Sequence, residues 1–256
     1  MSLLWPEYLT LGVFPGACWL QLPGGPMVAG ADIDRTSSHL DLLDAVDALL
    51  ERRAGSWGKR ASVEVVVSDT IGLTVALPWQ ENLSAPEHLR SYARVLLESQ
   101  HAIDGKAWTV EAGFRHFRSI GVGVALPEEW LARLAERLAL RGLRLRGVLP
   151  VSAVAYWQAK NVGARGQSLL LIEEATRATA LVYRNQRLHA IDAQPLLGDA
   201  GEAGERLCRR LQAVYGDVRN VALWSLSETG LFAGAVKRCL PQAAPVTLPV
   251  GHWRRK

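Results

Sequence analysis

The sequence predicts an α/β protein built as two related lobes that divide near residue 150. Three observations predict it. Short aliphatic runs of strand type alternate with amphipathic helical stretches through most of the chain. The 256 residues are 49% hydrophobic and 21% charged, enough apolar material for one large domain or two lobes and too apolar for dominant disorder. One order of elements, a strand hairpin followed by helix, strand and helix, occurs in both halves. The expected lobes are residues 1–150, including a strand-rich subdomain, and residues 151–256.

In the first half, residues 9–14 and 18–22 are apolar runs joined at Pro15-Gly16, which predicts a hairpin. Gly24-Gly25-Pro26 and the polar residues up to Ser38 read as loop. Leu40, Leu43, Val46 and Leu50 recur at helical spacing behind the capping signal Ser37-Ser38, and Arg53-Ala54-Gly55 ends that helix. Residues 63–67 form a buried-type strand, and a second strand, 73–77, follows the turn Ser68-Asp69-Thr70. Ser84-Ala85-Pro86-Glu87 reads as a capping box with proline in the first turn; Leu89, Tyr92, Ala93, Leu96 and Leu97 form the apolar face behind it. Residues 108–114 and 120–126 read as a strand pair. Pro127-Glu128-Glu129 opens a helix through Leu131, Leu134 and Leu138 that Gly142 stops, and 143–149 alternates Leu with Arg as a half-exposed strand.

After Pro150 the pattern restarts with a short helix over 153–159 and a loop over 161–166. Strands follow at 169–172, 178–183 and 187–191, then a helix over 202–215 ended by Gly216. A strand over 218–224, a helix over 228–238 and a last strand over 246–248 complete the second half.

The formal net charge is +4, from 29 basic and 25 acidic residues, an excess too mild to demand an anionic partner. Cys18, Cys208 and Cys239 are odd in number, widely spaced and without metal-ligand spacing, so they read as buried hydrophobes in a reducing compartment. The N-terminus lacks the basic-then-apolar form of a signal peptide, and no run approaches the roughly 20 apolar residues of a membrane helix. The expectation is a soluble, cytoplasmic chain.

Four catalytic templates fail. Gly58-Lys59 is followed by Arg60, not Ser or Thr, and residue 53 is Arg, so no P-loop exists. Gly121-Val122-Gly123 lacks the third glycine of a dinucleotide fingerprint and ends a strand. There is no Gly-x-Ser-x-Gly elbow and no histidine pair at i, i+4. The six histidines sit among polar neighbours and read as surface residues. Glu64 and Asp69 flank a strand end without a carboxylate partner at defined spacing. Glu173-Glu174 closes the first strand of the second half, at the kind of carboxyl end where α/β sites form. Arg115-His116-Phe117-Arg118 and residues 141–146 mix basic with apolar residues, but a charged sheet edge accounts for them without nucleic acid.

Several stretches resemble one family. Val65-Val66-Val67-Ser68-Asp69, Ala76-Leu77-Pro78-Trp79-Gln80, Tyr92-Ala93-Arg94, Trp108 and the run from Leu143-Arg-Leu-Arg-Gly-Val-Leu-Pro to Val-Ser-Ala-Val-Ala-Tyr-Trp157 resemble the actin-like assembly proteins of pili and secretion systems. These are the PilM-type proteins of type IV pili and the cytoplasmic domain of GspL-type proteins of type II secretion. The resemblance covers roughly residues 60–225. It implies a two-lobed actin/hexokinase-like (ribonuclease H-like) fold around a cleft.

In nucleotide-using members each half opens with a hairpin of the form Asp-x-Gly-x-x-x-Thr, whose aspartate places hydrated magnesium. This chain departs from that pattern. Its first hairpin keeps Gly12 but has no aspartate and carries Phe14 near the turn; its second reads Glu173-Glu174-Ala175-Thr176 without glycine. Two carboxylates and no glycine amides repel a triphosphate unless magnesium intervenes. The adenosine-site glycine pair has no clear counterpart beyond Glu228-Thr229-Gly230 and Gly234.

The expectation is therefore a degenerate nucleotide site, with no catalytic residue, no metal and no cofactor: a pseudo-ATPase scaffold. Its implied partners are the cytoplasmic tail of an inner-membrane pilus protein or a secretion ATPase, not nucleic acid. The alternative is an active actin-like ATPase using magnesium-ATP through Gly12, Glu173, Glu174 and Thr176. Trp253 beside Arg254-Arg255-Lys256 fits either an ordinary solvated end or the inner flank of a membrane helix beyond Lys256, which the GspL-type case requires. Of nine tryptophans, Trp79, Trp108 and Trp157 are expected in the core. Trp5, Trp57 and Trp253 lie outside the expected elements and are the interface candidates.

Overall fold

A computed structural model describes residues 8–22, 27–29, 33, 38–58, 61–83, 85–158, 166–216, 218–225 and 230–246. The first half runs β1 (Tyr8–Phe14), β2 (Ala17–Gln21), β3 (Met27–Ala29), α1 (His39–Arg52), β4 (Ser62–Val67), β5 (Leu73–Leu77), α2 (Pro86–His101), β6 (Trp108–Gly113), β7 (Gly121–Pro127), α3 (Glu128–Leu140) and β8 (Arg144–Pro150). Then α4 (Val151–Gln158) leads to β9 (Gln167–Glu173), β10 (Arg177–Arg184), β11 (Arg187–Pro195), α5 (Ala200–Tyr215), β12 (Asn220–Ser225), α6 (Leu231–Cys239) and β13 (Ala243–Pro245).

The two large sheets share one topology. The first has the order β3-β2-β1-β4-β8 and the second β11-β10-β9-β12-β13. In each, the opening strand is antiparallel to the second and parallel to the fourth, which is parallel to the last. Each half is thus three antiparallel strands, helix, strand, helix and strand. In the first half, the segment from β5 to β7 is inserted between the fourth strand and its helix. That insertion folds α2 over a third sheet of order β5-β7-β6.

Four apolar clusters hold these layers. Leu42, Leu43, Val46, Leu49 and Leu50 of α1 join Trp130, Leu134 and Leu138 of α3 against the first sheet. The Trp130 Nε1–H donates to the His39 carbonyl at 3.0 Å, locking the two helices. Leu207, Leu211, Phe232 and Val236 do the same for α5 and α6. The remaining large cluster joins the lobes: Phe14 and Trp19 pack with all of α4's buried face and with Leu170, Ile172, Leu181 and Tyr183. Strands β1, β4 and β9 are buried along both faces because each is covered twice, which explains their aliphatic-rich sequences; Thr10 and Glu64 are among the buried polar exceptions.

Some expectations are corrected. The stretch read as loop after Gly24 contains β3, whose backbone pairs with β2 through Trp19–Ala29 and Gln21–Met27. Ala85 holds the N-cap position of α2 without a side-chain bond, and Ser84 of the expected capping box lies outside the described residues. A capping box forms at Ser38, reciprocally with Asp41. A strand lies at Ala243–Pro245, where β12 offers its parallel edge; of the strand expected at 246–248, residues 247 and 248 lie outside the described residues. Trp79, Trp108 and Trp157 are half-buried flanks of the clusters rather than core. Cys18 and Cys208 are buried and free, and burial pushes both thiols up to about 12, which leaves them inert packing groups. Among the described residues, no helix is long and apolar enough to cross a membrane.

Candidate functional site

The carboxyl ends of the parallel strands in both lobes converge on one polar junction, the place where α/β sheets build sites. Strand β4 runs out into Ser68-Asp69-Thr70, β8 into Ser152 on α4, and β9 into Glu173-Glu174. Asp69 is its centre and only 3% exposed. Its Oδ1 accepts from the Ser152 backbone N–H at 3.1 Å and from the Ser152 hydroxyl at 2.7 Å; its Oδ2 accepts from the Thr179 hydroxyl at 2.7 Å. The Ser152 hydroxyl, 2.8 Å from that of Thr74, accepts from it in turn. The Asp69 backbone N–H donates to Glu174 Oε1 at 3.2 Å. Residues from β4, β5, α4, β9 and β10 are thereby tied across the lobes.

Burial sets the electrostatics. Glu174, 1% exposed, is pushed from 4.5 up to about 8, by desolvation first and by the negative charge of Asp69 second. Desolvation raises Asp69 as well, against the opposing pull of its Ser152 and Thr179 donors and of Arg177. Three donors reach the Asp69 carboxyl, whereas Glu174 Oε2 has no partner. Asp69 is accordingly the carboxyl of the pair that ionises first, and Glu174 holds its proton to higher pH than an ordinary glutamate.

The hairpin positions lie around this junction and are closely packed. A Cβ on Gly12 would fall 2.0 Å from Cε2 of Trp19, so that glycine exists to let the indole lie flat on β1. Trp19 stacks on Phe14 at 6.4 Å and 17°, and Phe14 meets Trp224 of β12 at 6.2 Å. This aromatic row fills the space between the first hairpin and the second lobe. At the hairpin's turn, Pro15 contributes no N–H and Gly16 takes φ 80°. Glu173, also 1% exposed, accepts from the Ser225 hydroxyl. The half-buried Thr176 sits in the β9–β10 turn, its carbonyl accepting from the Leu196 N–H at 2.8 Å. Gly230, with φ 64°, caps α6, and Gly234 lies within that helix; Glu228 and Thr229 lie outside the described residues.

Of the tryptophans singled out, Trp57 packs half-buried against the first-lobe core and donates its Nε1–H to the Arg141 carbonyl at 3.2 Å. Trp5 and Trp253 lie outside the described residues. Sequence reasoning placed little weight on Asp69 and none on Ser152, Thr179, Trp19 or Trp224. The available signal was positional: Ser68-Asp69 directly follows the buried strand β4, and Val151-Ser152 directly follows β8, so both stand at carboxyl ends of parallel strands.

A second feature lies on the other side of the first lobe. An apolar groove of about 640 Å³ runs between α3, the edge strand β8 and strands β6 and β7. Leu131, Ala132 and Ala135 form one wall and Leu145, Val148 and Leu149 the other, with Glu111 and Arg146 at the rim. Glu111, Val124 and Leu149 are shared with an adjoining recess of about 240 Å³ at Trp157. The outer edge of β8 pairs with no strand among the described residues. Among them no cluster of three or more His, Cys, Asp or Glu side chains could hold a metal ion.

No family profile and no curated protein sequence matches the chain. Solved structures do. A protein of Bacteroides thetaiotaomicron described as having an actin-like ATPase fold and unknown function aligns at TM-score 0.64 and 10% identity, over 96% of this chain and 92% of its own. PilM in the PilM–PilN type IV pilus biogenesis complex aligns at 0.60 and 15%, over 94% and 88%. The cytoplasmic domain of EpsL, an inner-membrane component of the type II secretion system of Vibrio cholerae, aligns at 0.55 and 12%, over 97% and 100%. With its duplicated sheet order and its interlobe junction, the chain has the actin-like ATPase fold, shared with PilM and the cytoplasmic domain of EpsL.

Proposed function

We propose that this chain is a non-catalytic scaffold, at the cytoplasmic face of an inner membrane, that docks a protein component of a type IV pilus or type II secretion machine. The observation that carries the proposal is the groove beside β8. It offers an apolar floor and an unpaired strand edge together, the combination that takes an extended peptide by strand addition. The occupant is a short tail of an inner-membrane assembly protein, entering as a strand with alternate apolar side chains toward α3. The structural likeness to PilM in its complex with PilN supports a partner of this kind.

Magnesium-ATP does not fit the interlobe residues as they stand. Phe14 and Trp19 take the space beside the first hairpin, Pro15 withholds an amide from any phosphate, and a protonated Glu174 is a poor partner for hydrated magnesium. Binding, rather than turnover, is the role these side chains favour.

The test is capture of purified tails from pilus and secretion inner-membrane proteins, and of a secretion ATPase, by the full chain. Ala132→Arg and Ala135→Arg place bulk and charge in the groove on a helix that tolerates arginine. The proposal expects one tail to bind and the substitutions to weaken it at least tenfold, each 1.4 kcal/mol being tenfold. Failure of every component, or capture indifferent to both substitutions, overturns it.

A further inference from the structure

Away from the groove and the junction, two turns from different lobes meet around a concavity of about 550 Å³. Its lining holds Arg118 from the β6–β7 loop and Arg184, Arg187 and His189 from the β10–β11 hairpin, and no carboxylate. Neither Arg184 nor Arg187 has an ion-pair partner among the described residues. Arg118 pairs with Glu81 at 2.7 Å, but both side chains are more than 60% exposed, so water and salt compete for the pair. Arg115 belongs to the same loop and donates to the Tyr156 carbonyl. His116 is held below its ordinary range by partial burial first and by Arg115 and Arg187 next, which places guanidinium groups of both lobes around one exposed imidazole.

Beside these charges stands Phe117, 71% exposed. Its ring is held outward: it stands edge-on to Trp79 at 5.0 Å, and the Arg118 guanidinium lies 5.4 Å from its centroid. The turn opposite is equally fixed, since Asn185 and Gln186 both take positive φ, the geometry of a tight two-residue hairpin, and present Arg184 and Arg187 at its tip.

We infer that this patch seats the protein on an anionic phospholipid surface, with Phe117 entering at headgroup depth and the arginines of both lobes taking lipid phosphates. A rigid, exposed aromatic ring beside clustered arginines is the pattern of an interfacial contact. A nucleic-acid strand would require a basic track along its backbone, and these charges form a compact cluster instead. Because each lobe supplies part of the patch, attachment depends on the interlobe arrangement that Asp69 and Phe14 hold. The inference uses none of the groove residues and stands or falls apart from partner docking.

The test is co-sedimentation of the full chain with vesicles of phosphatidylcholine alone or with roughly one-third phosphatidylglycerol. Binding is expected only to the anionic vesicles and is lost as salt approaches about 1 M, where the Debye length falls to ~3 Å. Arg184→Gln with Arg187→Gln should weaken partitioning about 30-fold, and Phe117→Ser should weaken it without altering the salt slope. All three positions are exposed, and an unchanged melting curve checks the fold of each variant. Equal binding to neutral vesicles, or binding unaffected by the arginine pair, overturns the inference. So does an arginine-dependent shift of a short DNA duplex without vesicle binding, which would move the patch to nucleic acid.

Discussion

Substituting Gly12 by alanine sets the new Cβ 2.0 Å from Trp19 Cε2 and 2.4 Å from Cζ2 and Nε1. The indole cannot turn aside freely: it is 4% exposed and stacked on Phe14, which is fully buried against Trp224. Overpacking of this kind costs about 1–3 kcal/mol, a fall in Tm of roughly 2–10 °C for a chain this size. The backbone itself has no objection, because Gly12 pairs within β1 and does not take positive φ. Once the ring is removed, alanine should be neutral or stabilise by about 0.4–1 kcal/mol through the unfolded chain. The destabilisation is therefore expected to vanish or reverse sign between wild type and Trp19→Leu. A double-mutant cycle by thermal and urea unfolding measures this. Equal destabilisation in both backgrounds would refute the reasoning, since Gly12 would then serve something other than Trp19. Indifference in both would show that the indole does not lie there.

Three further outcomes follow from the same geometry. The folded-state value of Glu174 is raised from 4.5 to about 8, so the stability held by its neutral form is complete below about 4.5 and is lost as pH rises through about 8. Glu174→Gln should leave the urea midpoint nearly unchanged near pH 5 and raise it near pH 8.5; a flat wild-type profile contradicts this. Trp57→Phe deletes the bond to the Arg141 carbonyl and should cost about 0.5–1.5 kcal/mol in unfolding, whereas a larger loss of partner capture than of stability would return Trp57 to the interface. Trp224→Ala removes the second-lobe end of the aromatic row and should speed amide exchange in β1 and β12 while leaving α2 and its sheet protected; uniform protection throughout would speak against that row as a link between lobes.

Much of the fold was legible because the elements carry strong local signals. The aliphatic runs of β4 and β9, and the leucine spacing of α1 and α3, each have one reading. β3 was not legible: it has three residues and is set by pairing with β2, which no local pattern announces. The site was legible only in part. Glu173-Glu174 stood out by position at a strand end, but Asp69, whose backbone N–H bonds Glu174, is 105 residues away, and the Ser152 and Thr179 donors to Asp69 lie 83 and 110 residues from it. Gly12 illustrates the limit from the other side. A glycine in the first hairpin reads as a phosphate contact by resemblance, and only the indole lying over it shows what it accommodates.

The most direct test of the account is calorimetric titration of the full chain with magnesium-ATP, beside the same titration with the inner-membrane tail proposed for the groove. The account predicts saturable heat with the tail and none with nucleotide up to about 1 mM, near the upper end of common enzyme–substrate affinities. Saturable nucleotide binding that Glu174→Gln or Gly12→Ala removes would contradict it, and would make the interlobe junction a working nucleotide site.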